Sequence, residues 1–184
     1  MISEFSLKQF EKDSSGATIS GRIARRNNIL LVSYELIGNL QNIDIPGRKQ
    51  NPSRMKGLWE NTCFELFAAV SDWEQYWELN VSPSGDWNVF RFEHYEEERR
   101  IDNLREETLV TSLPSRTQAR TQKQPASLSL DCEFNLTNLV RENQLLEIGI
   151  SAVIKMPERT YWALTHCDSR PNFHRRDSFI LRLR

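Results

Sequence analysis

Glycine is scarce in this sequence, with seven residues among 184. A phosphate-cradling loop of the GxGxxG or GxxxxGK[ST] type needs several glycines close together, and neither pattern is present. Dinucleotide-binding and P-loop chemistry are therefore disfavoured. Cysteine is equally sparse. Cys63, Cys132 and Cys167 are an odd, widely spaced set, which points to reduced thiols in a cytoplasmic protein rather than a disulfide framework. No run nears the roughly 18 apolar residues of a membrane helix. The opening MISEFSLKQFEKD lacks the apolar stretch of a secretory signal. Charge of one sign is missing as well. Twenty-four basic side chains face 25 acidic ones, for a net charge of −1, so the surplus that neutralises phosphates is absent. These absences predict no membrane and no nucleic-acid partner. The length predicts one domain spanning 1–184. Oligomeric state is not legible.

What is present is lopsided. Eighteen Arg stand against six Lys, and ten of the eighteen aromatic residues lie between Trp59 and Tyr95. The dominant hydrophobic period is 2. Ala17–Arg26 and Ile29–Leu36 flank Asn27-Asn28, a hairpin signal because Asn tolerates positive φ. A long loop spans Asn39–Leu58, with Pro46, Gly47, Pro52 and Gly57 as punctuation. In Thr62–Val70, Phe64, Leu66, Ala68 and Val70 share one face, and Cys63, Glu65, Phe67 and Ala69 the other. Tyr76–Ser82, the turn Pro83–Asp86 and Trp87–Tyr95 then predict a three-stranded meander.

Glu96–Glu107 reads as a charged, solvated connection. Further strands are predicted at Thr108–Leu113, Thr117–Gln122, Ser127–Phe134, Leu145–Met156, Tyr161–His166 and Ser178–Leu183. A single helical turn capped by Asn135 or Thr137 is predicted in Leu136–Glu142. About ten short strands with little helix predict an all-β, jelly-roll-like antiparallel sandwich.

Three chemical constellations stand out. Trp59 and Trp162 each border a loop, where an indole can stack on a flat or pyranose ring. Glu65, Asn80 and Arg91 could bond the ring edge. Trp73, Trp77 and Trp87 read as packing. The C-terminal loop, THCDSRPNFH, gathers His166, Cys167, Asp168 and His174, all metal-ligand types but at no recognised zinc spacing. His166, His174, Met55 and Met156 could also serve haem as axial ligands. Glu65 and Glu78 form a carboxylate pair of the kind glycosidases use, although GxSxG and HExxH are absent. Five Arg in the last fifteen residues fit a charged edge.

Three segments, LWENTCFELF (Leu58–Phe67), YWELNVSPSGDWNVFRFEHY (Tyr76–Tyr95) and YWALTHCDSRPNFHRRDSFILRL (Tyr161–Leu183), carry a resemblance. In this order they resemble the DOMON-like proteins related to family 9 carbohydrate-binding modules. The matched positions are Trp59 with Glu65, then Asn80 with Gly85, then Trp162, Phe173-His174 and Phe179. The resemblance implies a β-sandwich that binds sugars or, in other branches, haem. It implies a sugar held between Trp59 and Trp162, with Glu65 and, more loosely, Arg91 at its edge. The acidic clusters that bind calcium in those modules are not evident. The expected function is non-catalytic binding of a carbohydrate or sugar-like small molecule. Haem binding and a carbohydrate-active enzyme using Glu65 and Glu78 are the alternatives.

Overall fold

Alternating apolar and polar residues leave a strand one buried face, which two facing sheets satisfy together. The computed structural model describes residues 2–11, 16–94, 105–106, 116–123 and 126–184. The strands are β1 (Ile2–Gln9), β2 (Thr18–Arg26), β3 (Ile29–Ile37), β4 (Cys63–Val70), β5 (Tyr76–Val81), β6 (Trp87–Phe92), β7 (Arg105–Glu106), β8 (Arg116–Lys123), β9 (Ala126–Asn135), β10 (Leu146–Lys155), β11 (Arg159–Ala163) and β12 (Leu181–Leu183). They join in the order β7-β6-β5-β4-β10-β11-β1-β2-β3-β9-β8, with β12 beside β10. The ladders between these strands are antiparallel. The all-β antiparallel sandwich read from the sequence is the fold observed.

β1 is the corner. Ile2–Leu7 pair with β2, and Lys8 and Gln9 then pair with Ala163 and Trp162 of β11. The sheet thereby folds back on itself into two layers. Between them lie Phe5, Ile19, Ile23, Val32, Leu36, Leu128 and Phe134 from one layer. Phe64, Leu66, Leu79, Val89, Ile148, Ile150 and Trp162 come from the other.

The turns follow residue chemistry. Asn27 takes φ 54° in the β2–β3 hairpin, the left-handed region that Asn tolerates. The meander β4-β5-β6 forms as expected, and Gly85 turns it at φ 92°. At Leu136 a single turn closes, its carbonyl accepting from Leu139 and Val140 N–H. Asn135 Oδ1 caps it, accepting from Thr137 N–H at 2.9 Å.

Some expectations shift. β1 was not anticipated. Only Phe5 and Leu7 of its eight residues are buried, a thin signal. β11 starts and ends earlier than the expected Tyr161–His166, and β12 is shorter than the expected Ser178–Leu183 because Arg176–Ser178 form a 3-10 turn before it. Arg105–Glu106 pair with Phe90 and Arg91 instead of lying in a loop. The rest of the charged run beyond Glu96 and the expected strand Thr108–Leu113 fall outside the described residues. Among the described residues, no helix is long and apolar enough to cross a membrane.

β4 and β5 are buried on both faces. One face meets the interior. The other is covered by residues 164–180 and by the 3-10 turn Leu58–Glu60. Phe67, Ala69, Tyr76, Phe90, Phe92 and Phe179 form this second apolar cluster, with Trp59 and Phe173 packed on it. Gly149 permits the cover. A Cβ there would stand 2.8 Å from Phe179 Cδ1, too close for a side chain.

Candidate functional site

The outward face of the second layer is set by register. Ser151, Glu65, Asn80 and Asn88 form one row across β10, β4, β5 and β6. Gly149, Phe67, Glu78 and Phe90 form the next. Glu65 and Glu78 are therefore diagonal neighbours on adjacent strands, a spacing of about 7–8 Å or less. On β11, Tyr161 stands opposite Val153 and faces the same way.

A cleft of about 330 Å³ opens on this face. Its floor is Glu65, Phe67, Glu78 and Val153, and its walls are Trp59, Arg159, Tyr161, Pro171, Asn172, Phe173 and His174. Trp59, Tyr161 and Phe173 are each half-buried, so their rings keep some surface open. Trp59 stands edge-on to Phe90, with centroids 5.7 Å apart. Tyr161 and Phe173 lie 6.3 Å apart at 55°.

The floor is polar and nearly dry. Glu65 is 4% exposed and Glu78 6%. The Ser151 hydroxyl donates to Glu65 Oε2 at 2.9 Å. The Asn80 amide donates to Glu78 Oε1 at 2.7 Å. Burial, reinforced by the neighbouring Glu78 and only partly offset by Ser151, pushes the Glu65 carboxyl up to about 8. His174 arches over the pair. Its Nδ1 shares a hydrogen bond with the Tyr76 hydroxyl at 3.0 Å, and its Nε2 lies 3.7 Å from Glu78 Oε2. The ring is wedged edge-on among Phe67, Phe92 and Tyr76.

Residues 164–180 are tied locally. Asn172 donates to Asp168 Oδ2 at 3.1 Å and accepts from His174 N–H at 3.2 Å. Arg176 bridges to Glu147 at 2.7 Å. The Arg176 bridge ties the segment to β10, and Asn172 sets the backbone at His174.

Of the residues singled out from the sequence, Trp59, Glu65 and His174 meet in the cleft. Glu78 joins them, and Asn80 lies fully buried beside the floor. Trp162 does not. It pairs with Ala152, so it points into the core between the layers, where it is 6% exposed. Its indole N–H donates to Thr160 Oγ1 at 3.0 Å. Trp59 and Trp162 lie on opposite faces of one layer, so no ring can stack between them. Arg91 is also misplaced. It sits opposite Trp77, on the face away from Glu65, and pairs with Glu93 at 3.1 Å.

The C-terminal metal candidates are dispersed. His166 donates from Nε2 to the Lys8 carbonyl at 2.8 Å. Asp168 is held below the usual carboxylate range by hydrogen bonds from Asn172 and Ser169. Burial and the nearby Asp177 raise the Cys167 thiol. No group of three His, Cys, Asp or Glu able to hold a metal occurs among the described residues. Tyr161, Arg159 and Asn172 were missed as lining residues. Phe173 entered only through its place beside His174, and Tyr161 follows from its parity with Val153 once the register is known.

No family model matches the chain, and no curated protein sequence matches it. Solved structures do. A Bacteroides uniformis protein provisionally assigned as carbohydrate-binding superposes with a TM-score of 0.66 at 14% identity, over 96% of this chain and 84% of that one. A family 9 carbohydrate-binding module from Caldicellulosiruptor kristjanssonii, solved with cellotriose, gives 0.50 at 9% identity, over 88% and 71%. At these identities the likeness is one of fold.

Proposed function

We propose that this chain is a non-catalytic binding domain for a carbohydrate or sugar-like ligand, seated in the cleft of Trp59, Tyr161 and Phe173 above Glu65 and Glu78. The observation that carries the reading is the pairing of half-buried aromatic walls with a buried polar floor in one cleft. Sugar rings offer apolar C–H faces and a polar rim, and such a cleft meets both. The cleft volume lies at the low end of the range for small-molecule sites, about 300–1,000 Å³, which suits one or two rings. The fold neighbour solved with cellotriose is consistent with this ligand class, as is the DOMON-like resemblance. Trp59 replaces the two-tryptophan clamp with a single indole facing two further rings.

A second reading has one observation in its favour. Glu65 holds its proton near neutrality beside another carboxylate, as a glycosidase general acid would. Against it, the two carboxyls rise from neighbouring strands on one side of the cleft. Hydrolysis needs them to flank the scissile bond. Haem has less support. Both ring nitrogens of His174 face Tyr76 and Glu78, leaving neither turned to an iron.

The test is a glycan array followed by titration, with a haem titration in parallel. Trp59→Ala is expected to weaken sugar binding at least about tenfold, the equivalent of 1.4 kcal/mol, with little change in melting temperature. A Soret band on haem addition supports the rival. Release of reducing sugar that Glu65→Gln abolishes supports the enzyme.

A further inference from the structure

The floor of the cleft holds two buried carboxyl groups at diagonal positions of neighbouring strands. Among the described residues, the Glu65 carboxyl accepts one hydrogen bond, from the neutral Ser151 hydroxyl, and faces no ion-pair partner; the proton it keeps near neutrality is released when a cation docks on the pair. Asn80 Oδ1, fully buried in the same row behind the cleft, has no donor among the described residues. Its amide nitrogen is spent on Glu78. The His174 ring is committed between Tyr76 and Glu78. Arg159 stands exposed at the rim.

A buried acceptor without a donor costs about 1–3 kcal/mol, and more for a charged group. The molecule that fits must bring hydrogens and positive charge. A neutral hydroxyl brings one hydrogen and no charge. An ammonium brings three hydrogens and a full charge. The walls agree, because the faces of Trp59, Tyr161 and Phe173 attract a cation held before them.

We propose that the ligand is an amino sugar bearing a free ammonium group, which docks on Glu65 and Glu78 while its ring rests against the aromatic walls. This rests on the carbohydrate reading above and narrows it. The ammonium brings a positive charge to the carboxyl pair, and by that charge the pair distinguishes it from the parent sugar and from its acetylated form. N-acetylation leaves the ring intact but removes the charge and two of the three hydrogens.

The experiment is calorimetric titration of the full chain with glucosamine, glucose and N-acetylglucosamine at one pH near neutrality and matched ionic strength. Glucosamine is expected to bind at least about tenfold more tightly than either neutral sugar. In Glu65→Gln and Glu78→Gln, each checked by its melting curve, the ratio of glucosamine to glucose affinity is expected to fall towards one. Equal affinities in the wild type overturn the amino-sugar proposal and leave the carbohydrate reading standing. A preference that persists in both variants overturns it too, since the carboxylates then do not read the charge. Binding of none of the three sugars, together with a blank glycan array, overturns both.

Discussion

Replacing the Glu65 carboxyl by an uncharged group should stabilise this protein, increasingly so as pH rises from about 4.5 to about 8. In the unfolded chain the carboxyl titrates near its ordinary 4.5, whereas in the folded chain it is pushed up to about 8. Between these values the folded state holds the proton that the unfolded state has lost. Stability must therefore fall as pH rises through that window, and the full penalty is present above about 8. A tenfold difference in proton affinity is worth about 1.4 kcal/mol, so the penalty is on the order of 5 kcal/mol. It belongs to the Glu65–Glu78 pair rather than to one group.

Gln has nearly the same shape, carries no charge, and can still accept the Ser151 hydroxyl. In Glu65→Gln the change at pH 5 should stay within about 1 kcal/mol, because the wild-type carboxyl is then already neutral. At pH 8–9 the variant should gain a few kcal/mol, or roughly 10 °C in melting temperature for a chain of this size. Urea unfolding followed by tryptophan fluorescence from pH 5 to 9, in both proteins, reads the difference directly. If the two stability profiles run parallel across this range, Glu65 is not desolvated as described and the reasoning fails.

Other outcomes follow from packing. Trp162→Ala should cost about 3–5 kcal/mol in chemical denaturation, as expected for a large core ring; a cost under about 1 kcal/mol would move the indole out of the core. Gly149→Ala should cost about 1–3 kcal/mol through overpacking against Phe179 and should weaken ligand binding in titration, because the displaced ring sits beneath residues 164–180. Tyr76→Phe removes the hydroxyl that shares a hydrogen bond with His174 and should cost about 1 kcal/mol, read by thermal melting; no change would mean that the bond does not hold the imidazole.

Period-2 alternation is a local property, so strands β2 to β6 could be read from the sequence with small errors at their ends. β1 could not, since two inward residues in eight scarcely differ from chance. The site was half legible for a related reason. Parity assigns residues to opposite faces of a strand, but it does not say which face is interior. In β4 both faces are apolar and buried, so Glu65 could be grouped with Phe67 and Cys63 without knowing what lay above them. In β11, Tyr161 and Trp162 are adjacent aromatics, and either could have faced the cleft. Pairing with β10 decides it, because Trp162 falls opposite Ala152 of the core and Tyr161 opposite Val153 of the cleft. That pairing is a long-range fact which no window of sequence contains. Arg91 fails in the same way, one residue out of phase with Phe90 and Phe92.

The corner strand also has a meaning in time. Ile2–Leu7 find β2 within a few tens of residues, but Lys8 and Gln9 pair with Ala163 and Trp162. His166 fastens the same seam through the Lys8 carbonyl. On a ribosome adding about 5–20 residues per second, the first strand waits roughly 8–30 s before this partner is made. During that interval one layer of the sandwich can pair its strands while its inward apolar face has nothing to rest on. The seam between β1 and β11 is therefore a latch that closes only after Trp162 and Ala163 have been made, and the nascent chain's exposure to aggregation lasts about as long as the wait.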